Sequence, residues 1–297
     1  MKLLKWIRFL VNYTIWYLSS PQRAKDALIL FYRQLYAWIT NQQAMSFYPH
    51  HFNSVDTLKT RRTSDTVFVF GAGASLMDIS DDEWAHVAKH NTIGWHLFGH
   101  QDFVRGDILI FRETHYQTIN ERKTEIRQYV ADVNANPQLE QALWICQAGW
   151  FAVASNLLIG MRLLSKDTTI LRYKNSRRGE SQLPIEHFQD GVTHGAGTLT
   201  DAVNLAYQGG WKRIVLIGID LYDTEYFKDA AWDTDPEWVA NNQDRSVTHP
   251  TIFSGIIDQM ALWVPWLQKR GIEIYVQNPR SLMADLMPVY DWKQFEE

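Results

Sequence analysis

The sequence predicts an α/β fold: a Rossmann-like, mostly parallel sheet with helices on both faces, preceded by an N-terminal helical, membrane-associating extension. Three observations carry this. Short apolar runs rich in β-branched residues recur from residue 66 onward, at 67–70, 92–97, 108–111, 143–146, 168–171, 214–219 and 272–276. Helix-length segments such as 198–207 and 252–269 lie between several of them. The first run also ends in a glycine turn, Gly71-Ala72-Gly73. Strands that are apolar throughout, rather than alternating, are those buried on both faces, and alternation with helices makes such a sheet parallel. Six or seven strands are expected, with ligands at their carboxyl ends.

The first 62 residues read differently. Residues 1–50 carry six basic side chains and one acid, so this end is about +5, while the whole chain is −4. Lys2, Lys5, Arg8 and Asn12 recur at helical spacing, with Leu3, Leu4, Trp6, Ile7, Leu10 and Val11 filling the remaining surface. The polar residues interrupt the run too often for a membrane span, which needs roughly 20 mainly apolar residues. Ser19-Ser20-Pro21 is a poor signal-cleavage site. An interfacial amphipathic helix fits better, followed by a second helix after Pro21 and an irregular linker over 41–65. Packing of both helices on the protein's own core is the plain alternative. The domain reading is therefore 1–62 for helices and linker and 63–297 for the catalytic domain. The predicted location is cytoplasmic, peripheral to the inner face of the cytoplasmic membrane, with an anionic membrane surface as partner. An acidic body argues against nucleic acid. The single cysteine, Cys146, forbids an internal disulfide and sits in an apolar run as a small hydrophobe.

Four segments carry candidate chemistry. At Gly71-Ala72-Gly73-Ala74-Ser75, glycines allow close backbone approach to a phosphate. Leu76 stands where a third glycine would complete a dinucleotide fingerprint, and no acidic residue ends the second strand, so NAD is disfavoured. No P-loop is present. The second segment is a glycine-rich loop, His194-Gly195-Ala196-Gly197-Thr198, opening a helix that leads to the strand ending Gly218-Ile219-Asp220-Leu221-Tyr222. Asp220 faces a ligand or caps its own turn. In the third, His249-Pro250 follows that strand, and imidazole is the side chain best matched to proton transfer near neutral pH. The fourth, Asn278-Pro279-Arg280-Ser281, ends the last strand and could meet an anion. Arg112, ending another strand, is a further anion ligand. Asp233-Thr234-Asp235 has the form of a metal motif but follows no hydrophobic strand, so it reads as a solvated acidic turn, and no metal site is expected.

In this order the blocks 71–76, 218–222, His249 and 278–286 resemble the small bacterial sialyltransferases that use CMP-sialic acid. The stretch 197–221 also resembles a broader group, which holds flagellin-modifying glycosyltransferases and 6-hydroxymethylpterin pyrophosphokinase-like proteins. The resemblance spans roughly residues 66–290 in short blocks. It implies a metal-independent, inverting transfer from a CMP-linked donor to a glycan or glycolipid acceptor, as in cell-surface polysaccharide biosynthesis. It implies donor contacts at Gly71, Gly73, Ser75, Gly197, Thr198, Asp220, Tyr222, Asn278 and Ser281. Further substrate contacts fall at Arg112, Trp95 and His96, and the catalytic base at His249, with His194 as its rival. The family carries Asn where this chain has Ala72, and again near Trp95–His96. The donor sugar therefore stays open between sialic acid, Kdo and another nonulosonate. Two alternatives remain. A pterin pyrophosphokinase would need ATP, Mg²⁺ and clustered carboxylates, for which Asp220 and Asp223 are the candidates. The other is a non-catalytic nucleotide-binding membrane protein.

Overall fold

Eight strands lie edge to edge in one sheet in the computed structural model, which describes residues 20–112, 118–178, 182–222, 226–227 and 250–294. In chain order the elements are α1 (Pro21–Ala44), β1 (His51–Phe52), α2 (Asp56–Lys59), β2 (Thr66–Phe70), α3 (Asp81–Val87), β3 (Asn91–Trp95), β4 (Ile108–Phe111), α4 (Ile119–Ala135) and β5 (Leu143–Gln147). There follow α5 (Val153–Gly160), β6 (Ile170–Tyr173), β7 (Asn175–Arg178), β8 (Val192–His194), α6 (Thr198–Gly209), β9 (Arg213–Ile217), α7 (Ile256–Gln268) and β10 (Glu273–Val276). The sheet order is β1-β6-β5-β4-β3-β2-β9-β10, and every neighbouring pair is parallel. The expected fold class is the observed one.

The central strands are mostly apolar because each of their faces meets a helical layer. Val67 and Val69 of β2, with Ile214 and Leu216 of β9, pack in one core with Leu199 and Val203 of α6 and Met260 and Trp263 of α7. Phe68 and Phe70, with Val215 and Ile217, pack in the other core with Ala37 of α1, Val130 of α4 and Leu157 of α5. A residue pattern of period two thus splits one sheet between two cores. Capping boxes start two helices on the second face: Ser80 with Glu83 for α3, and Thr118 with Glu121 for α4.

Two pieces go beyond the expected strands. His51–Phe52, inside the stretch expected to be irregular, pairs with β6 at the sheet edge. Two residues, one of them His, carry no periodicity to read. β7 and β8 form a separate two-stranded parallel sheet.

Helix α1 lies against the second face, and a buried cation holds it there. Arg172 on β6 is 6% exposed. Its guanidinium donates to Asn41 Oδ1 of α1 (2.9 Å), to Asn156 Oδ1 of α5 (3.1 Å) and to the Gln147 carbonyl (3.1 Å). All three acceptors are neutral, and burial pushes the Arg172 pKa down. Among the described residues no helix is long and apolar enough to cross a membrane.

Candidate active site

From β2 the sheet grows one way through β3, β4, β5 and β6, and on its other side through β9 and β10. The boundary between β2 and β9 is therefore the topological switch point, where open α/β sheets form a crevice at the carboxyl ends of their strands. Three of the four singled-out segments meet there. The Gly71 N–H donates to the Ile217 carbonyl and the Gly73 N–H to the Gly218 carbonyl, both at 2.8 Å. The Ser75 N–H donates to Asp220 Oδ2 at 2.9 Å, and its hydroxyl donates to Oδ1. Asn278 Nδ2 donates to Asp220 Oδ1 (2.8 Å) and to the Tyr222 hydroxyl (3.3 Å). The Ser281 hydroxyl donates to the Ile219 carbonyl.

This geometry explains the two glycines from within the protein. A Cβ on Gly71 would lie 2.2 Å from the Gly218 carbonyl oxygen, and one on Gly73 would lie 2.2 Å from Asp220 Oδ2. Asp220 is 3% exposed and both its oxygens accept hydrogen bonds, so its carboxylate clasps the first turn to the last. Leu221, the next residue, has φ +64°, a left-handed conformation rare outside glycine, at the rim of the crevice.

A second cluster stands at the same edge. Arg112 follows β4, two strand spacings or about 10 Å laterally from β2 and three or about 14 Å from β9, after which Asp220 stands. Arg112 Nη1 donates to Asp201 Oδ2 at 2.8 Å and to the Tyr173 hydroxyl at 3.3 Å. The His194 ring bridges the same pair, with Nδ1 2.9 Å from Asp201 Oδ2 and Nε2 3.1 Å from Arg112 Nη2. Burial, and next the Asp201 charge, push the Tyr173 phenol up, so it stays protonated. Asp201 and Tyr173 were not among the residues expected at the site. The one visible sign of Asp201 in the sequence is an acid in the first turn of α6, after Thr198-Leu199-Thr200.

The remaining expected residues spread along this edge. Trp95 ends β3 and is half-buried. His96 beside it is exposed and also left-handed, at φ +53°. Thr198 begins α6, and its N-cap residue is Gly197, which has no side chain to cap it with. The Gly195 N–H donates to Thr200 Oγ1 (2.8 Å), which ties the loop to its helix. Arg280 stands over the Tyr222 ring and pairs with Asp78 at 2.9 Å. His249, Asp223 and the segment 233–235 lie outside the described residues. Pro250, the residue after His249, starts a short 3₁₀ turn whose Ser254 hydroxyl donates to the Ala196 carbonyl at 2.7 Å.

No family model matches the sequence, and no curated protein matches it. Among solved structures, the chain is similar to the Campylobacter sialyltransferase Cst-II in complex with CMP, at 14% identity and a TM-score of 0.44, over 76% of this chain and 86% of that one. It is also similar to the monofunctional alpha-2,3-sialyltransferase Cst-I from Campylobacter jejuni, at 13% identity and a TM-score of 0.43, over 76% and 80%. Likeness at this level assigns no residue a role.

Proposed function

We propose that the chain is a sialyltransferase-like glycosyltransferase that moves a keto-sugar acid from a CMP-activated donor to a cell-surface glycan or lipid-linked acceptor. The observation that carries this reading is the meeting of 71–75, 218–222 and 278–281 at the switch point, with the cation of Arg112 on the same edge. These are the blocks through which the sequence resembles CMP-dependent transferases. The donor phosphate would lie at the switch-point crevice, and its acidic sugar toward Arg112. The acceptor hydroxyl attacks the anomeric carbon as a base removes its proton, and CMP leaves with inversion. Charge developing on the departing phosphate is met by Tyr222 and by N–H groups of the first turn other than those of Gly71, Gly73 and Ser75, which are bonded within the protein.

His249 is the base in this reading. His194, whose ring nitrogens meet Asp201 and Arg112, is its rival wherever a ligand draws Arg112 away from Nε2. A pyrophosphokinase reading gains nothing from Asp220, whose two oxygens are taken by Ser75 and Asn278. The acceptor side of the proposal is a membrane surface, reached through α1 and the basic residues before it.

The test is a pair of measurements. CMP without Mg²⁺ is expected to raise the melting temperature, as any ligand of the native state does, while ATP is not. His249→Ala is expected to lower turnover of CMP-sialic acid by about 10²–10⁴-fold with CMP affinity nearly unchanged. A large turnover loss in His194→Ala beside a near-normal His249→Ala would move the base to His194.

A further inference from the structure

We infer that Asp201 is the positioning residue of this site: one carboxylate oxygen sets which nitrogen of His194 carries the proton and holds Arg112 at the sheet edge. The inference concerns the site of the proposed transferase and rests on that reading for its catalytic consequence.

The hydrogen-bond chemistry leaves one arrangement. A guanidinium has five donors and no acceptor, so the contact between Arg112 Nη2 and His194 Nε2 requires a bare lone pair on Nε2. The ring proton is then on Nδ1, where it donates to Asp201 Oδ2. The same oxygen accepts from Arg112 Nη1, so three side chains close a ring around one atom. Access is unequal. The side chains of Arg112 and His194 are 13% and 24% exposed, whereas that of Asp201 is 0% exposed. A ligand can reach the guanidinium and the imidazole but not the carboxylate, so Asp201 acts through them. Its place four residues into α6 sets its negative charge near the positive end of that helix.

The ring also has a direction. An acidic group of a ligand that takes over Arg112 Nη2 releases the Nε2 lone pair of His194, while Asp201 keeps Nη1 and Nδ1 where they are. The freed lone pair then accepts from a hydroxyl of the same ligand. A carboxylate and a hydroxyl on one small molecule are what a keto-sugar acid carries, so this ring reads the sugar rather than the nucleotide.

The test uses the full chain with ¹⁵N in the histidine rings, the His194 signals being identified by their loss in His194→Gln. The expected wild-type pattern is a protonated Nδ1 and a bare Nε2. Asp201→Ala is expected to move His194 to the Nε2–H form that free imidazole side chains prefer, and Asp201→Glu to return it toward wild type. Asp201→Asn, the milder change, keeps the volume, loses the charge and is expected to populate both forms. It is also expected to lower kcat/KM for CMP-sialic acid by about 100-fold or more, since aligned catalytic groups act as a unit. An unchanged His194 pattern in the alanine or asparagine variant overturns the inference, and so does an asparagine variant with wild-type kcat/KM. The ring-nitrogen measurement needs no substrate. A wild-type chain that shows the expected pattern yet leaves both CMP-sialic acid and CMP-Kdo intact would therefore count against the transferase reading and not against the role of Asp201.

Discussion

At Gly73 an added methyl group would meet Asp220 Oδ2 at 2.2 Å and the Gly218 carbonyl oxygen at 2.9 Å. Neither neighbour can yield cheaply, since one belongs to the backbone and the other is a carboxylate held by Ser75 and Asn278. Gly73→Ala is therefore expected to destabilise the fold by about 1–3 kcal/mol, the usual range for overpacking a tight interior, and to weaken CMP binding with it. Urea unfolding and CMP titration on the same variant check this. Full stability with lost CMP binding would mean that the turn faces the ligand and not Asp220. The sequence made Gly71, Gly73 and Asp220 visible because strand ends followed by glycine or acid are sparse and local. It could not show that they serve one another, because Ser75 and Asp220 are 145 residues apart. Asp201 was harder still. Its partners stand 7 and 89 residues away, and only the packing of α6 over β2 and β3 brings them to one oxygen.

Helix α1 shows how an amphipathic pattern can serve two surfaces. One face, through Ala24, Gln34, Ala37, Asn41 and Ala44, is buried, and Arg172 fixes it from below. Another carries Leu28, Tyr32 and Ile39 at i, i+4 and i+11, all exposed, with Ile29 alongside. Phe151, close to the Trp150 ring that packs on Phe31 and Trp38, adds a further exposed apolar group. An apolar stripe directly after a strongly basic segment suits the boundary of an anionic bilayer. The full chain is expected to sediment with phosphatidylglycerol vesicles at low salt and to release as salt rises. Leu28→Ser, Tyr32→Ser and Ile39→Ser together are expected to weaken that binding several-fold without loss of the fold, since none of the three is buried. Equal sedimentation of the triple variant would exclude this face. A fall in its oligomeric state would instead make the stripe a contact between copies.

At the scale of the whole molecule, stability should carry the mark of one histidine. His90, before β3, sits against Phe68 and His86, with Nδ1 3.1 Å from the Ser64 hydroxyl. Burial, then the nearby His86, Arg213 and Lys89 charges, lower its pKa from 6.5 to about 4. Between these values the unfolded chain binds a proton that the folded chain refuses. Stability is therefore complete above about pH 6.5 and falls as the pH drops toward about 4. His90→Gln is expected to flatten that part of the curve of melting temperature against pH, and an unchanged slope would assign the loss to other groups. The fold itself was open to sequence reading because its central strands are buried on both faces and leave unbroken apolar runs. β1 and β7 were not, since two residues in one case and Asn-Ser-Arg-Arg in the other carry no such run.

The strand order has a further consequence, in the time a chain takes to be made. β2 through β5 each pair with the strand that follows, so that this half of the sheet can assemble as it leaves the ribosome. The opposite edge of β2 has no partner until residues 213–217 arrive. Through that interval a Val- and Phe-rich strand edge stands open, the kind of template on which unfinished chains stick to one another. The crevice is closed by the strand that relieves this hazard. The cluster at the switch point is complete only afterwards, when Asn278 and Ser281 follow β10 to Asp220 and to the Ile219 carbonyl.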